Sequence, residues 1–334
     1  MIYGHGDDTY SYSGIRMNFS TCINSYADLT PLVRHLSERL EQAIRTYPEP
    51  QPFTLERTLA THLGVLPEEV CVTAGATDAI YLIAERLRGS RSAIAHPTFS
   101  EYADACRLHG HHLVAMGDSS AEVIWLCNPN NPTGKVLDKA TLSAMITTHP
   151  GTTFVIDQSY EDFTIRPLLT AAEAVRMPNV LLLHSMTKRY ALPGLRLGYV
   201  TASSEHISRL RAQRMPWSVS TLAIEAGLYV LKHPDEMPLE AILTEAHRLR
   251  DNLRSIPGIE VEDSDTHFML CRIVGSQAAA LKEHLASEHG ILIRDASNFY
   301  GLDESCFRIA ARTAEENDAL VRAIREVRGV EAVS

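Results

Sequence analysis

Val180-Leu181-Leu182-Leu183-His184-Ser185-Met186-Thr187-Lys188 is an apolar run that stops abruptly in a tail of hydroxyls and an amine. Four apolar residues in succession, with no polar alternation, suit a strand buried on both faces. Four other runs share this design. Val70-Cys71-Val72-Thr73 ends at Gly75-Ala76-Thr77, and Ser92-Ala93-Ile94-Ala95 ends at His96-Pro97-Thr98-Phe99. Val123 to Cys127 ends at Asn128-Pro129-Asn130-Asn131-Pro132-Thr133-Gly134, and Thr153-Phe154-Val155-Ile156 ends at Asp157-Gln158-Ser159-Tyr160. Each run feeds a helix-like segment. Such alternation predicts an α/β fold with a mostly parallel sheet between helices, in which ligands bind beyond the carboxyl ends of the strands. The five polar tails then meet at one site.

The pattern breaks at Lys232-His233-Pro234-Asp235-Glu236-Met237-Pro238, where two prolines and several charges suggest a boundary. A smaller α/β unit is expected beyond it. It would comprise a helix from Ala241 to Leu253, strands at 267–271, 291–293 and 307–310, and a closing helix from Glu315 to Arg328. The expected organisation is an N-terminal segment (1–30) near the active site and small domain, a large cofactor-binding domain (31–233) and a small C-terminal domain (234–334). The link Gly117 to Glu122 is too short for a parallel crossover, which needs a dozen or more residues. It predicts no helix there, and no direct pairing of Leu113–Met116 with Val123–Cys127.

The 31 basic and 41 acidic residues give a formal charge of -10 without long single-sign blocks, so nucleic acid is not an expected partner. Any anionic substrate must therefore be met by a few converging cations. The start of the chain lacks a basic, then apolar leader, and no apolar run reaches membrane-spanning length. The expectation is a soluble, cytoplasmic protein with no membrane partner. The six cysteines are dispersed and read as reduced, buried thiols. His109-Gly110-His111-His112 reads as a helix stop rather than a metal site, and no metal is expected.

Gly75-Ala76-Thr77, between a strand and a helix, offers free N–H groups for a phosphate, or else Thr77 is an ordinary N-cap. Asp157 at a buried strand end is costly unless paired; a protonated pyridine nitrogen would suit it, and so would a turn that it caps. Lys188, beside hydroxyls and Arg196, has the surroundings of an imine-forming amine, although a lone lysine is by default a solvated one.

The string 185–199, together with 128–134 and 157–160, resembles the fold-type-I aminotransferase superfamily of pyridoxal-phosphate enzymes, in order and spacing over nearly the whole chain. The resemblance implies a large domain and a smaller α/β domain. It makes Lys188 the Schiff-base lysine, Asp157 the partner of the pyridine nitrogen, and Asn131 and Tyr160 the neighbours of the ring hydroxyl. Phe99 would stack on the ring, and Ala76, Thr77, Ser185, Thr187 and Arg196 would form the phosphate cup. Tyr47 would reach the neighbouring site of a homodimer.

Gln213 to Val219, Ile291 to Arg294 through Asp303, and Phe307 to Arg312 are most similar to the threonine-phosphate decarboxylases of cobalamin biosynthesis, relatives of the histidinol-phosphate aminotransferases. That resemblance implies a phosphorylated amino-acid substrate. Arg308 would grip its α-carboxylate, and Arg294, His5 and Gly6 would lie near its phosphate, with Asn131 also touching substrate. The implied reaction is decarboxylation of L-threonine O-3-phosphate to (R)-1-aminopropan-2-yl phosphate. Histidinol-phosphate transamination, serine-phosphate decarboxylation and a non-catalytic regulator are the rivals. Such regulators usually carry a separate DNA-binding segment, and none is expected in the stretch before Tyr47. His5-Gly6-Asp7-Asp8 replaces the family's His-Gly-Gly-Asn, and Cys22 stands at a usual asparagine; the first adds negative charge and the second removes a substrate contact.

Overall fold

In the computed structural model, which describes residues 7–331, a strand of two residues, β1 (Met17–Asn18), precedes a seven-stranded main sheet. The main-sheet strands are β2 (Val70–Thr73), β3 (Arg91–Ile94), β4 (His112–Val114), β5 (Val123–Cys127), β6 (Thr153–Asp157), β7 (Val180–Ser185) and β8 (Gly198–Ala202). Their spatial order is β2-β8-β7-β6-β5-β3-β4. All five runs read from the sequence are strands of this sheet.

β8 is antiparallel both to β7 and to β2, so β2 points the same way as β3 and β5 to β7. All five polar tails therefore leave the same edge. β8 escaped the sequence reading because Gly198 and Thr201 interrupt its apolar character, although all five of its residues are buried. Burial of Thr201 is met by a bond between its hydroxyl and His184 Nε2 at 2.9 Å.

The helices of this part are α1 (Thr30–Arg45), α2 (Phe53–Leu63), α3 (Ala76–Arg86), α4 (Glu101–Leu108), α5 (Lys139–Thr148), α6 (Ala171–Ala174), α7 (Met186–Arg189), α8 (Ser204–Gln213) and α9 (Thr221–Lys232). Side chains alternate along a strand. Leu181 and Leu183 accordingly join a core with Ile80, Ile83 and Trp125, while Val180 and Leu182 pack with Leu142, Ile146 and Phe154 on the other face. Burial on both faces explains the uninterrupted apolar runs.

Residues 115–122 contain no helix, and β3 lies between β4 and β5, as the short link requires. At 109–112 the helix α4 does stop: Gly110 takes φ 71, which glycine adopts without steric cost. His111 turns inward to Ser92 Oγ and the Ala84 carbonyl.

Toward the C-terminus come α10 (Leu239–Arg254), β9 (Ile259–Val261), β10 (Phe268–Ile273), α11 (Ala278–His289), β11 (Ile291–Leu292), β12 (Arg294–Asp295), β13 (Cys306–Ala310) and α12 (Ala314–Glu331). An antiparallel sheet of order β12-β13-β10-β9 packs on the helices through Leu249, Leu281, Leu285, Phe307 and Leu320. The single strand expected at 291–293 is in fact split. Ile291 and Leu292 pair in parallel with β1, and the chain then moves so that β12 forms the edge of the small sheet. Phe19, just after β1, is fully buried in that core, so the N-terminal segment is anchored beside it. All six cysteines are free and buried. No described helix is long and apolar enough to cross a membrane.

Candidate active site

At the carboxyl edge of the main sheet lies a cleft of about 390 Å³, within the roughly 300–1,000 Å³ usual for small-ligand pockets. Its wall includes Ala76, Thr77, Phe99, Asn131, Asp157, Tyr160, Ser185, Thr187, Lys188, Arg196, Arg294 and Arg308. The structure thus brings together every residue proposed for this site from sequence except three. Tyr47 is 84% exposed and lies against the Trp217 ring, away from the cleft. His5 and Gly6 lie outside the described residues.

One end of the cleft is built by a helix start and a cation. α3 begins at Ala76, and the residue before it, Gly75, has φ 91. Thr77 is thus inside the first turn, and its reading as N-cap is replaced by Gly75. Ala76 and Thr77 of this first turn, where helical N–H groups lack intrahelical partners, line the cleft together with Ser185, Thr187 and Arg196. Fit is close: a Cβ on Gly75 would lie 2.7 Å from an Arg196 terminal nitrogen. Gly198 of β8 is likewise obligatory, since a Cβ there would meet the Ala76 nitrogen at 2.6 Å.

The floor is formed by the last residues of β6 and β7. Asp157 is buried, with one carboxylate oxygen accepting the Ser159 N–H at 2.8 Å and the other the Tyr102 hydroxyl at 2.7 Å. The turn-capping reading is therefore correct, and it leaves the carboxylate's charge uncompensated: no ion pair to it occurs among the described residues. Tyr102, on α4, was missed because nothing distinguishes one tyrosine in an amphipathic helix.

Lys188 sits on α7, the single turn that follows β7, with its ammonium nitrogen 5.8 Å from the centre of the Tyr160 ring. Burial lowers its pKa, and the positive charges of Arg308 and Arg196 act in the same direction while Asp157 opposes them. The shift is toward the uncharged, nucleophilic form of the amine. Burial also holds the Tyr160 phenol well above its ordinary range.

The opposite wall carries two arginines from the small sheet. Arg294 and Arg308 are cross-strand partners, and both are buried. Arg308 donates to Asn131 Oδ1 at 2.6 Å and to the Ser20 carbonyl, while its Nε has no partner among the described residues. Asn131 in turn lies 3.4 Å from the Tyr160 hydroxyl. Arg294 donates to Asn298 Oδ1 at 2.7 Å, and burial next to Arg308 lowers its pKa to about 10.

The two sequence departures look different in place. Asp8 is paired with Lys282 and Asp7 accepts from Asn18, so the added negative charge is largely committed to the protein itself. Cys22 lines the cleft as a protonated thiol, its pKa raised by burial.

The chain matches the aminotransferase class I and II family over residues 15–324. It is 30% identical to a threonine-phosphate decarboxylase of Salmonella typhimurium, with 93% of this chain and 91% of the relative covered. A histidinol-phosphate aminotransferase of Caldanaerobacter subterraneus is 29% identical, with 85% of each covered. In structure, the chain is similar to an L-threonine-O-3-phosphate decarboxylase from Porphyromonas gingivalis: TM-score 0.90, 39% identity, 93% of this chain and 99% of that one.

Proposed function

Since the chain belongs to the aminotransferase class I and II family of pyridoxal-phosphate enzymes, we propose that it decarboxylates L-threonine O-3-phosphate to (R)-1-aminopropan-2-yl phosphate. The residues fit the cofactor. Asp157 supplies a buried carboxylate lacking a cation, the Gly75 turn with Arg196 supplies a cradle that a single Cβ would fill, and Lys188 supplies a desolvated amine between them.

When bound, pyridoxal phosphate is an electron sink, so whichever bond at the substrate Cα stands perpendicular to its ring is the one that breaks. Orientation then falls to the protein. The single observation that carries the decarboxylase reading is the buried Arg294–Arg308 pair, two cations side by side on the wall facing the cradle. Arg308, held by Asn131 and the Ser20 carbonyl, presents its unpartnered Nε for the α-carboxylate, and Arg294 takes the substrate phosphate. Held in this way, the carboxylate would be the group the protein selects to leave. Lys188 is placed to return a proton to Cα after carbon dioxide departs.

The active form in this reading is a homodimer. α1 exposes Val33, Leu40 and Ile44, and Tyr47 follows it into solvent, an apolar face that a second copy would cover while Tyr47 enters the neighbouring cleft.

The test is carbon dioxide release from threonine phosphate, without any keto acid, by the purified holoenzyme. Serine phosphate serves as comparison, because one methyl group discriminates weakly. Glutamate formed from 2-oxoglutarate and histidinol phosphate, with no gas release from threonine phosphate, would establish the aminotransferase instead, a reading favoured by the 29% identical relative.

A further inference from the structure

Arg308 is oriented from two sides. Asn131 holds one side, and that residue belongs to the site already described. On the other side is the Ser20 carbonyl, and Ser20 belongs to a closed ring of hydrogen bonds.

The ring has three members. The Asp7 backbone N–H donates to Ser20 Oγ at 3.1 Å, the Ser20 hydroxyl donates to Asn18 Oδ1 at 2.6 Å, and Asn18 Nδ2 donates to Asp7 Oδ1 at 2.8 Å. Ser20 N–H adds a further bond to Asn18 Oδ1 at 3.0 Å. Asp7 adopts φ 66, a conformation that among side-chain-bearing residues Asn and Asp take most readily, so an Asp suits this corner of the ring. Asp7 and Ser20 both line the cleft.

Both flanks of the ring are fixed. Asp8 pairs with Lys282, the Tyr12 hydroxyl donates to Glu283, and Arg16 N–H donates to the Gly290 carbonyl, all on or just after α11. On the far side Phe19 N–H donates to the Leu292 carbonyl, while Ala310 N–H donates to the Phe19 carbonyl. The segment 7–20 is therefore stitched to α11 and β11 and, through Ala310 of β13, to the sheet that carries Arg294 and Arg308.

We propose that Asp7 and Asn18 are positioning residues for substrate. Through Ser20 they aim the carbonyl that clamps Arg308, so that its guanidinium meets the α-carboxylate at the angle the reaction needs. This rests on reading Arg308 as the carboxylate anchor. It gives the acidic residue at position 7 a structural task at the mouth of an anion site.

The test exchanges the partners. Asn18→Asp places two carboxylates against each other and removes the donor. Asp7→Asn combined with Asn18→Asp restores a donor and an acceptor at the same total charge. Two readouts apply to the holoenzymes: kcat and KM with threonine phosphate, and the L-alanine concentration giving half of the change in cofactor absorbance. L-alanine reports carboxylate capture without needing a phosphate or a complete reaction.

Asn18→Asp is expected to raise KM and the L-alanine half-point at least tenfold, with a smaller loss in kcat. It should also speed deuterium exchange in residues 7–20. The double variant should return both half-points to within about threefold of the parent. Should Asn18→Asp not fold, Asn18→Ala must show the same KM increase, and the double variant must still fold and bind. Parent-like half-points in Asn18→Asp, or no recovery in the double variant, would overturn the proposal. Failure of the parent to release carbon dioxide, with the L-alanine pattern intact, would overturn only the decarboxylase reading.

Discussion

Replacing Gly75 by alanine separates the fold from the cofactor site. The new Cβ would stand 2.7 Å from a terminal nitrogen of Arg196 and 3.2 Å from its Cζ, closer than side-chain carbons approach such atoms. Arg196 is exposed, and its guanidinium is tied by one bond to the Pro193 carbonyl, so it swings aside at little cost. Backbone strain is the larger structural term, because φ 91 suits glycine alone; such strain costs about 1–3 kcal/mol. That term destabilises protein with and without cofactor equally. Displacement of Arg196 weakens only the holo state, by one charge-assisted bond of about 1.5–3 kcal/mol. The expected result is a roughly 10- to 150-fold weaker affinity for pyridoxal phosphate, measured by absorbance titration of apo-protein. Thermal unfolding of the apo form should change modestly, while the rise in Tm on adding cofactor should shrink according to the weaker binding. Pyridoxal-phosphate affinity within twofold of the parent would refute the assignment of Gly75 and Arg196 to the phosphate cradle.

Lys188→Ala should abolish turnover and the absorbance of the covalently held cofactor, while the cofactor remains bound noncovalently; unchanged absorbance would assign the link to another residue. Tyr102→Phe removes one of the two bonds to Asp157, and an affinity for pyridoxal phosphate lowered about 10-fold is expected from losing a bond of about 1.5 kcal/mol to a charged group. His267, buried against the Phe163 ring with neither ring nitrogen bonded among the described residues, has its pKa lowered to about 3, by burial first and then by Arg308 and Lys188. Its folded-state pKa lies below the unfolded value near 6.5, so between those two pH values the unfolded chain binds the extra proton. The associated stability is complete above about pH 6.5 and falls by up to about 1.4 kcal/mol per pH unit on acidification toward pH 3. The Tm of the parent should therefore fall more steeply between pH 6.5 and 4 than that of His267→Gln, and parallel curves would contradict this.

The five apolar runs were legible because both faces of their sheet are covered, which removes polar alternation and leaves an unmistakable break where each strand reaches the cleft. The residues proposed to hold the cofactor lie on those breaks, so strand ends and motif spacing pointed to Asp157, Lys188 and the Gly75 turn together, and all three regions meet at one cleft. What the sequence hid depends on tertiary partners. β8 carries glycine and threonine because Gly198 abuts the Ala76 nitrogen and Thr201 bonds His184, neither of which shows in a one-dimensional pattern. Tyr102 meets Asp157 across 55 residues of sequence. The break between β11 and β12 is forced by pairing with β1, a partner more than 270 residues earlier, which no local periodicity announces. The charges at positions 7 and 8 looked hostile to an anion site; their commitment to Asn18 and Lys282 removes most of that conflict.

Arg294 and Arg308, opposite one another on adjacent strands and both shielded from water, put like charges where a sheet would ordinarily place attraction. Burial first, and then the charge of Arg308, weaken the hold of Arg294 on its proton. In the proposed function, a ligand carrying two anionic groups would offset that repulsion as it docks. If the proposed substrate is the right one, recognition and stabilisation of the small sheet are one event, and the cross-strand pair is the source of a preference for ligands that bring two negative charges over those that bring one.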